Sequence, residues 1–181
     1  MVPRLRIRTD RLILRDFRSS DLDAYCELRA HPDFQRFYPA EEVSTKKSAE
    51  LLGEFLGWAS ELPRLRYQLA IEEPRLGLLG SCGVRITGDD KDRATFGCEL
   101  GREYWGRGYA VEAARALIGF AFSDLGVRRI QAETLSENRP ALSLARRLGM
   151  RIEARHSRGR RFQGRSWDTV ALGIDAAEWR W

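Results

Sequence analysis

The residues best equipped for chemistry lie in one stretch: Cys98-Glu99-Leu100-Gly101-Arg102-Glu103-Tyr104-Trp105-Gly106-Arg107-Gly108-Tyr109-Ala110-Val111-Glu112. The pattern is a glycine-bearing turn between a strand and a helix. At such a turn several backbone N–H groups point outward, and the helix dipole adds about half a positive charge. The site therefore favours an anion, typically phosphate. Gly106 and Gly108 remove Cβ atoms that would hold a phosphate away, and Ala110 is the next smallest choice. Two nucleotide motifs begin here and fail. Gly101 and Gly106 open a Walker pattern, but Arg107 and Gly108 replace its lysine and hydroxyl. A dinucleotide GxGxxG starting at Gly106 and Gly108 meets Val111, which is bulky where the helix must pack closely.

Periodicity predicts the elements that position this turn. Leu5 to Phe17 alternates in part and predicts a strand pair or one long bent strand. Ser20 with Asp23 forms a capping box for a helix that His31-Pro32 ends. Phe34 to Pro39 is an aromatic, irregular connection, and a second helix runs from about Thr45 to Glu61. Past Pro63 the period becomes two. Strands are expected around Leu65–Ile71 and Leu78–Ile86, with a tight turn at Gly88-Asp89-Asp90 and a third strand carrying Ala94, Phe96, Cys98 and Leu100. An Ala-rich helix to about Asp124 follows the glycine turn, then a strand from Val127 to Leu135. Asn138 caps a helix ending at Leu148, with Gly149 as its left-handed stop. Two last strands, Met150–Ser157 and Trp167–Ile174, are joined by a strongly basic loop. Short hairpin connections followed by strand, helix, strand, helix, strand give a mixed α/β sheet.

Composition narrows the function classes. The 181 residues predict one domain over 1–181, with 43% hydrophobic and 31% charged residues as in a globular chain. No apolar run approaches the roughly 18 residues of a membrane span, and Met1 to Asp10 has no continuous apolar run for a signal peptide. Cys26, Cys82 and Cys98 are widely spaced and the only histidines are His31 and His156, so no metal site is expected. The cysteines read as thiols of a reducing cytoplasm. Net charge is +5, and the basic residues are arginines apart from Lys46, Lys47 and Lys91. The guanidinium suits a phosphate-bearing partner, because its fork matches phosphate oxygens.

The glycine turn resembles the acetyl-CoA pyrophosphate loop of the GNAT superfamily of N-acetyltransferases. Residues Tyr104 to Ala113 match the string Tyr-Trp-Gly-Lys/Arg-Gly-Tyr/Leu-Ala-x-Glu-Ala of its Rim-type branch, which is related to ribosomal-protein N-terminal alanine acetyltransferases. Thr9-Asp10-Arg11-Leu12-Ile13-Leu14-Arg15 is similar to the family's opening strand, and Asn138 with Leu148-Gly149-Met150 to its late helix. Trp167-Asp168 and Glu178-Trp179 fit its last strands. The resemblance implies a mostly antiparallel sheet splayed around the acetyl-CoA cleft, with flanking helices. It implies that the amides of Trp105, Gly106, Arg107, Gly108, Tyr109 and Ala110 hold pyrophosphate. Pantetheine would lie along Cys98 to Leu100, with Asn138 bonding its arm. Trp105 stands at the family's general Arg/Gln position, which moves positive charge to Arg107 and Arg102.

The resemblance also implies direct attack of a primary amine, from a protein N-terminus or a small molecule, on the thioester carbonyl. The amine must lose a proton, the oxyanion needs a donor and the thiolate must leave. Glu99 is the first choice as base, Glu133 a lesser one, and a backbone N–H near Leu100 the donor. The late helix offers Ala145 and Ala141 where relatives place tyrosine and serine, so the acid is Ser143 or water. Phe34, Phe37 and Tyr38 lie where the family's acceptor site usually sits; Tyr104, Trp105 and Tyr109 line the cleft or pack under the loop. The run Arg155, Arg158, Arg160, Arg161, Arg165 would receive an acidic protein or RNA, or remain a solvated hairpin. Trp179 and Trp181 would mark a homodimer contact or dock on the chain itself. The alternative to an enzyme is a non-catalytic acyl-CoA sensor or a basic RNA-associated module.

Overall fold

In the computed structural model, which describes residues 4–87 and 91–181, Leu5–Phe17 folds as a strand pair, β1 (Arg6–Arg8) and β2 (Ile13–Asp16). The expected turn at Gly88-Asp89-Asp90 lies outside the described residues. The expected capping box at Ser20 does not form, because a 3₁₀ turn over Ser19–Asp21 precedes α1 (Leu22–Ala30) and leaves Ser20 exposed. Asp21 takes that place. Its carboxylate accepts the Arg18 amide at 2.7 Å and both terminal nitrogens of buried Arg15 at 2.8 Å.

The segment after His31 is more regular than expected. Pro32–Gln35 forms a short helix, α2, because Pro32 suits the first helical position and His31 Nδ1 accepts the Asp33 amide at 3.1 Å. The second long helix, α3 (Thr45–Trp58), is capped by Ser44 Oγ and ends short of Glu61.

Three antiparallel strands follow: β3 (Arg66–Glu73), β4 (Gly77–Ile86) and β5 (Arg93–Leu100). Alternation in β3 predicts one buried face, yet Leu69, Ala70 and Ile71 are all fully buried. Both faces are covered. Ala70 packs with Phe17, Tyr25, Leu52 and Phe55 under α1 and α3, while Leu69 and Ile71 join the main core under α4 (Tyr109–Ser123). Ala113, Ala114 and Ala121 on α4 let that helix approach the sheet closely.

The chain closes with β6 (Arg129–Leu135), α5 (Arg139–Arg147), β7 (Arg151–Phe162) and β8 (Arg165–Asp175). The basic segment expected as a loop is therefore the distal part of a long hairpin. Phe162 and Trp167 stack at 5.0 Å and continue the ladder to a turn at Gln163-Gly164, with one irregularity between His156 and Arg160. The eight strands form one sheet in the order β1-β2-β3-β4-β5-β6-β8-β7. The parallel pair, β5–β6, is bonded only from Arg93 to Thr95 against Arg129 to Gln131. Beyond that point the two strands diverge, and the sheet opens at their C-terminal ends. Among the described residues no helix is long and apolar enough to cross a membrane.

Burial pushes the Asp21 carboxyl up, but its bonds to Arg15 and to the Arg18 amide hold it below the usual aspartate range. A lowered native value stabilises above the ordinary range, and that contribution is lost as pH falls through it. Asp21→Asn leaves Arg15 short of one buried counter-ion. The expected cost is about 3 kcal/mol, or roughly 6–12 °C in Tm, with a flatter acid limb when thermal unfolding is followed from neutral pH downward.

Candidate active site

The opening between β5 and β6 is a cleft of about 470 Å³. Register decides what faces it. Leu100 pairs with Gly80, and the Gly101 amide bonds Leu79 O at 2.9 Å. Leu100 and Gly80 are thus a non-hydrogen-bonded pair, so the N–H and C=O of Leu100 point away from β4 and toward the cleft. Cys98 shares that phase. Leu100 O accepts Trp105 Nε1 at 2.9 Å, which folds the indole back over the strand end and leaves the Leu100 N–H facing the opening.

On the α4 side lies the glycine turn. Gly106 and Gly108 have φ of +76° and +83°, and a Cβ on Gly106 would meet open space. These positions need glycine for their backbone conformation. Gly108 is the N-cap of α4 and offers no side-chain bond, so the first amides of this helix are left for a ligand. The Arg107 side chain is exposed, whereas its carbonyl accepts Arg11 Nη1 at 3.1 Å. Arg102 turns away from the turn to pair with Asp33 at 2.7 Å. Asn138 caps α5 by accepting the Ala141 amide at Oδ1, 3.2 Å, which leaves its amide nitrogen for another partner.

A clamp that the sequence reading missed fixes this turn. Glu112, in the first turn of α4, accepts the Thr9 hydroxyl at 2.6 Å, the Arg11 amide at 2.9 Å and Arg11 Nε at 2.7 Å. Arg11 also lies over the Tyr109 ring at 4.5 Å. Its halves lie about a hundred residues apart in the chain, a separation that leaves no local signal. Burial pushes the Glu112 carboxyl up, but the Thr9 and Arg11 bonds bring it below the usual range.

On the α1 side lies Glu99. Its side chain points opposite to Cys98 and Leu100 and meets Arg29, whose Nη1 donates to both carboxylate oxygens at 2.8 and 2.9 Å. Arg29 is 2% exposed and was also missed. It further donates to Ser48 Oγ at 3.1 Å and Glu42 O at 2.7 Å, and its guanidinium lies 5.2 Å from the Phe34 ring. Burial and then Glu99 push the Tyr25 hydroxyl above the usual phenol range, so it remains a donor, 3.4 Å from Glu99. Glu133, in phase with Leu135 on β6, lines the same cleft, as does Ser143 on α5. Burial pushes the Cys98 thiol up to about 12, so it stays neutral and is no nucleophile near pH 7.

Residues 11–151 match the model of the family described as acetyltransferase (GNAT) domain. The chain belongs to the GNAT family and is an acetyltransferase. The uncharacterized N-acetyltransferase p20 of Bacillus licheniformis is 29% identical over 148 residues, 80% of this chain and 82% of that one. The fold is similar to that of a GNAT-family acetyltransferase from Bacillus anthracis, with a TM-score of 0.82, 22% identity, and 96% of this chain and 100% of the other covered. It is similar also to Mycobacterium smegmatis RimJ in complex with CoA-disulfide, with a TM-score of 0.80, 20% identity, and coverage of 98% and 88%.

In this GNAT chain the remaining aromatics divide between packing and cleft. Phe34 stacks on Tyr38 at 5.1 Å, and Phe37 joins Leu135, Phe162 and Trp167; all three line the cleft, with Tyr104, Trp105 and Tyr109. Trp179 docks on α4 beside Phe122, 5.7 Å between rings, while Trp181 stays 62% exposed. In the basic hairpin, Arg160 pairs with Glu42 and Arg165 with Glu137. Loosening the clamp has a defined readout. Glu112→Gln removes an ion pair that is partly open to water, so about 1 kcal/mol is expected, or roughly 2–4 °C in Tm. Hydrogen exchange should quicken at the amides of residues 106–111, with little change in the β7–β8 hairpin.

Proposed function

We propose that this acetyltransferase moves an acetyl group from acetyl-CoA to a primary amine, at a protein N-terminus or on a small molecule, by direct attack in a ternary complex. One observation carries the reading: the β5–β6 opening presents free amides on its α4 side and a carboxylate on its α1 side. Two substrates can enter from opposite faces and meet at the strand ends.

The residues fit acetyl-CoA. The uncapped N-terminus of α4 and the left-handed Gly106 and Gly108 form a cradle that side chains would fill, which suits a pyrophosphate on the amides from Gly106 to Ala110; the Trp105 amide expected to join them is given instead to Arg102 O at 3.2 Å. Cys98 and Leu100 turn backbone groups toward a missing neighbour, as an extended pantetheine requires, and Asn138 keeps an amide nitrogen for it. Acetyl-CoA brings the activated acyl group, a thioester. The Leu100 N–H, turned toward the opening, would supply the donor for the oxyanion. Glu99 takes the proton of the incoming amine, directly or through a water, and Arg29 holds it in position. Ser143 is the protein hydroxyl we place beside the leaving sulfur. A thiol is acidic enough, with a pKa near 8.5, that water can serve as well. The free thiols of Cys26, Cys82 and Cys98 suit a reducing cytoplasm.

Ala141 and Ala145 favour a second reading, a sensor that binds the acyl-CoA without turnover. Two measurements separate them. A ligand at 100 times its Kd stabilises by about 2.7 kcal/mol, so acetyl-CoA should raise Tm by roughly 5–10 °C and ATP or NAD should not. Glu99→Gln keeps an oxygen for Arg29 but no base. Its kcat should fall by about a hundredfold or more, with the acetyl-CoA shift retained. Turnover equal to the parent's would remove Glu99 from the mechanism, and a cofactor shift without turnover on any amine would leave the sensor.

A further inference from the structure

Beside the cleft lies a second cavity of about 560 Å³. Phe37 and Trp105 belong to the walls of both, so the two spaces adjoin. The second one touches none of the residues from Gly106 to Val111. It sits between the end of α2, the turn after β5 and the segment joining β6 to α5.

Its chemistry is that of an anion site. Arg36, Arg102 and Arg139 line it together with Asp33 and Glu137. Asp33 is taken by Arg102, and Glu137 by Arg165 from the hairpin. Among the described residues no carboxylate pairs with Arg36 or Arg139. The guanidinium of Arg36 lies over Phe37 at 5.5 Å and that of Arg102 over Trp105 at 5.0 Å. Stacking occupies a guanidinium's face and leaves its in-plane N–H groups for a carboxylate or phosphate.

Resting on the amine-acceptor reading above, we propose that this cavity selects acceptors carrying an anionic group: the amine enters the cleft while its carboxylate or phosphate is held by Arg36 and Arg139. The basic hairpin adds to the same field, which steers anions toward this face and cations away.

The test uses the whole chain, acetyl-CoA and matched peptide amides: Ser-Asp-Asp, Ser-Asn-Asn, Ser-Lys-Lys and Ser-phosphoSer-Asn, with benzylamine as a small neutral amine. The expected order of kcat/KM puts the anionic peptides about tenfold or more above the neutral one and the basic one lowest. The Asp and phosphoSer arms tell a carboxylate from a phosphate preference. Arg36→Ala with Arg139→Ala, both at exposed positions, should raise KM for the anionic peptides to that of the neutral one. The KM of acetyl-CoA and its thermal shift should stay as in the parent. Equal use of neutral and anionic acceptors would overturn the proposal and leave amine acetylation standing. A rise in the KM of acetyl-CoA instead would assign the cavity to the cofactor and overturn it too. No transfer to any amine would remove the acceptor reading and this inference together.

Discussion

A guanidinium taken out of water must find partners for all its donors, and that requirement organises the α1 side of this molecule. Arg29 is 2% exposed and bonds to Glu99 on β5, Ser48 on α3 and the Glu42 carbonyl. Each bond ties a different segment to the end of α1. Removing one partner of a buried pair leaves an uncompensated charge, at a cost of about 3–5 kcal/mol, so these segments keep their relation or lose it together. The consequence for chemistry is placement. Glu99 is the residue of β5 that α1 reaches, and the aromatic wall of Phe34 and Tyr38 gathers around the same guanidinium.

The two faces of the sheet thereby receive opposite electrostatic tasks. On the α4 side, fixed peptide dipoles offer partial positive charge without a mobile counter-ion, and the Glu112–Arg11 clamp spends its ionic chemistry on holding the turn. On the α1 side a carboxylate is kept beside the cleft by a buried cation. Because β5 and β6 share ladder bonds only near Thr95, the two environments communicate through the sheet instead of around its edge. Within the opening, burial keeps the Cys98 thiol protonated near neutral pH.

Much of this was legible in the sequence. The glycine turn, the Asn138 cap, the left-handed Gly149 and most strands and helices follow from local rules, because each is decided by residues a few positions apart. What local rules missed was tertiary. Arg29 reads as one more helix-end arginine until Glu99 arrives opposite it, and Glu112 reads as a motif residue until Arg11 closes on it. The Ser20 capping box failed because Asp21 had a stronger claim, a buried Arg15. The basic segment looked like a loop because charge outweighed alternation there. Its strand character comes from the Phe162–Trp167 stack near the hairpin end.

The two alanines of α5 take on a different weight against this background. In a site that relied on a helix hydroxyl to protonate the leaving thiol, Ala141 and Ala145 would be lesions. Here Ala145 packs against the core and both alanines line the cleft, where neither carries a hydroxyl. In the proposed reading the proton comes from Ser143, which lines the same cleft, or from water, which a cleft open to solvent can admit. Thiolate departure is the less demanding of the two proton transfers, whereas an amine cannot attack while protonated. Deprotonating the amine is the harder step, and the buried Arg29, by holding the Glu99 carboxylate beside the cleft, is what the proposed base assignment rests on.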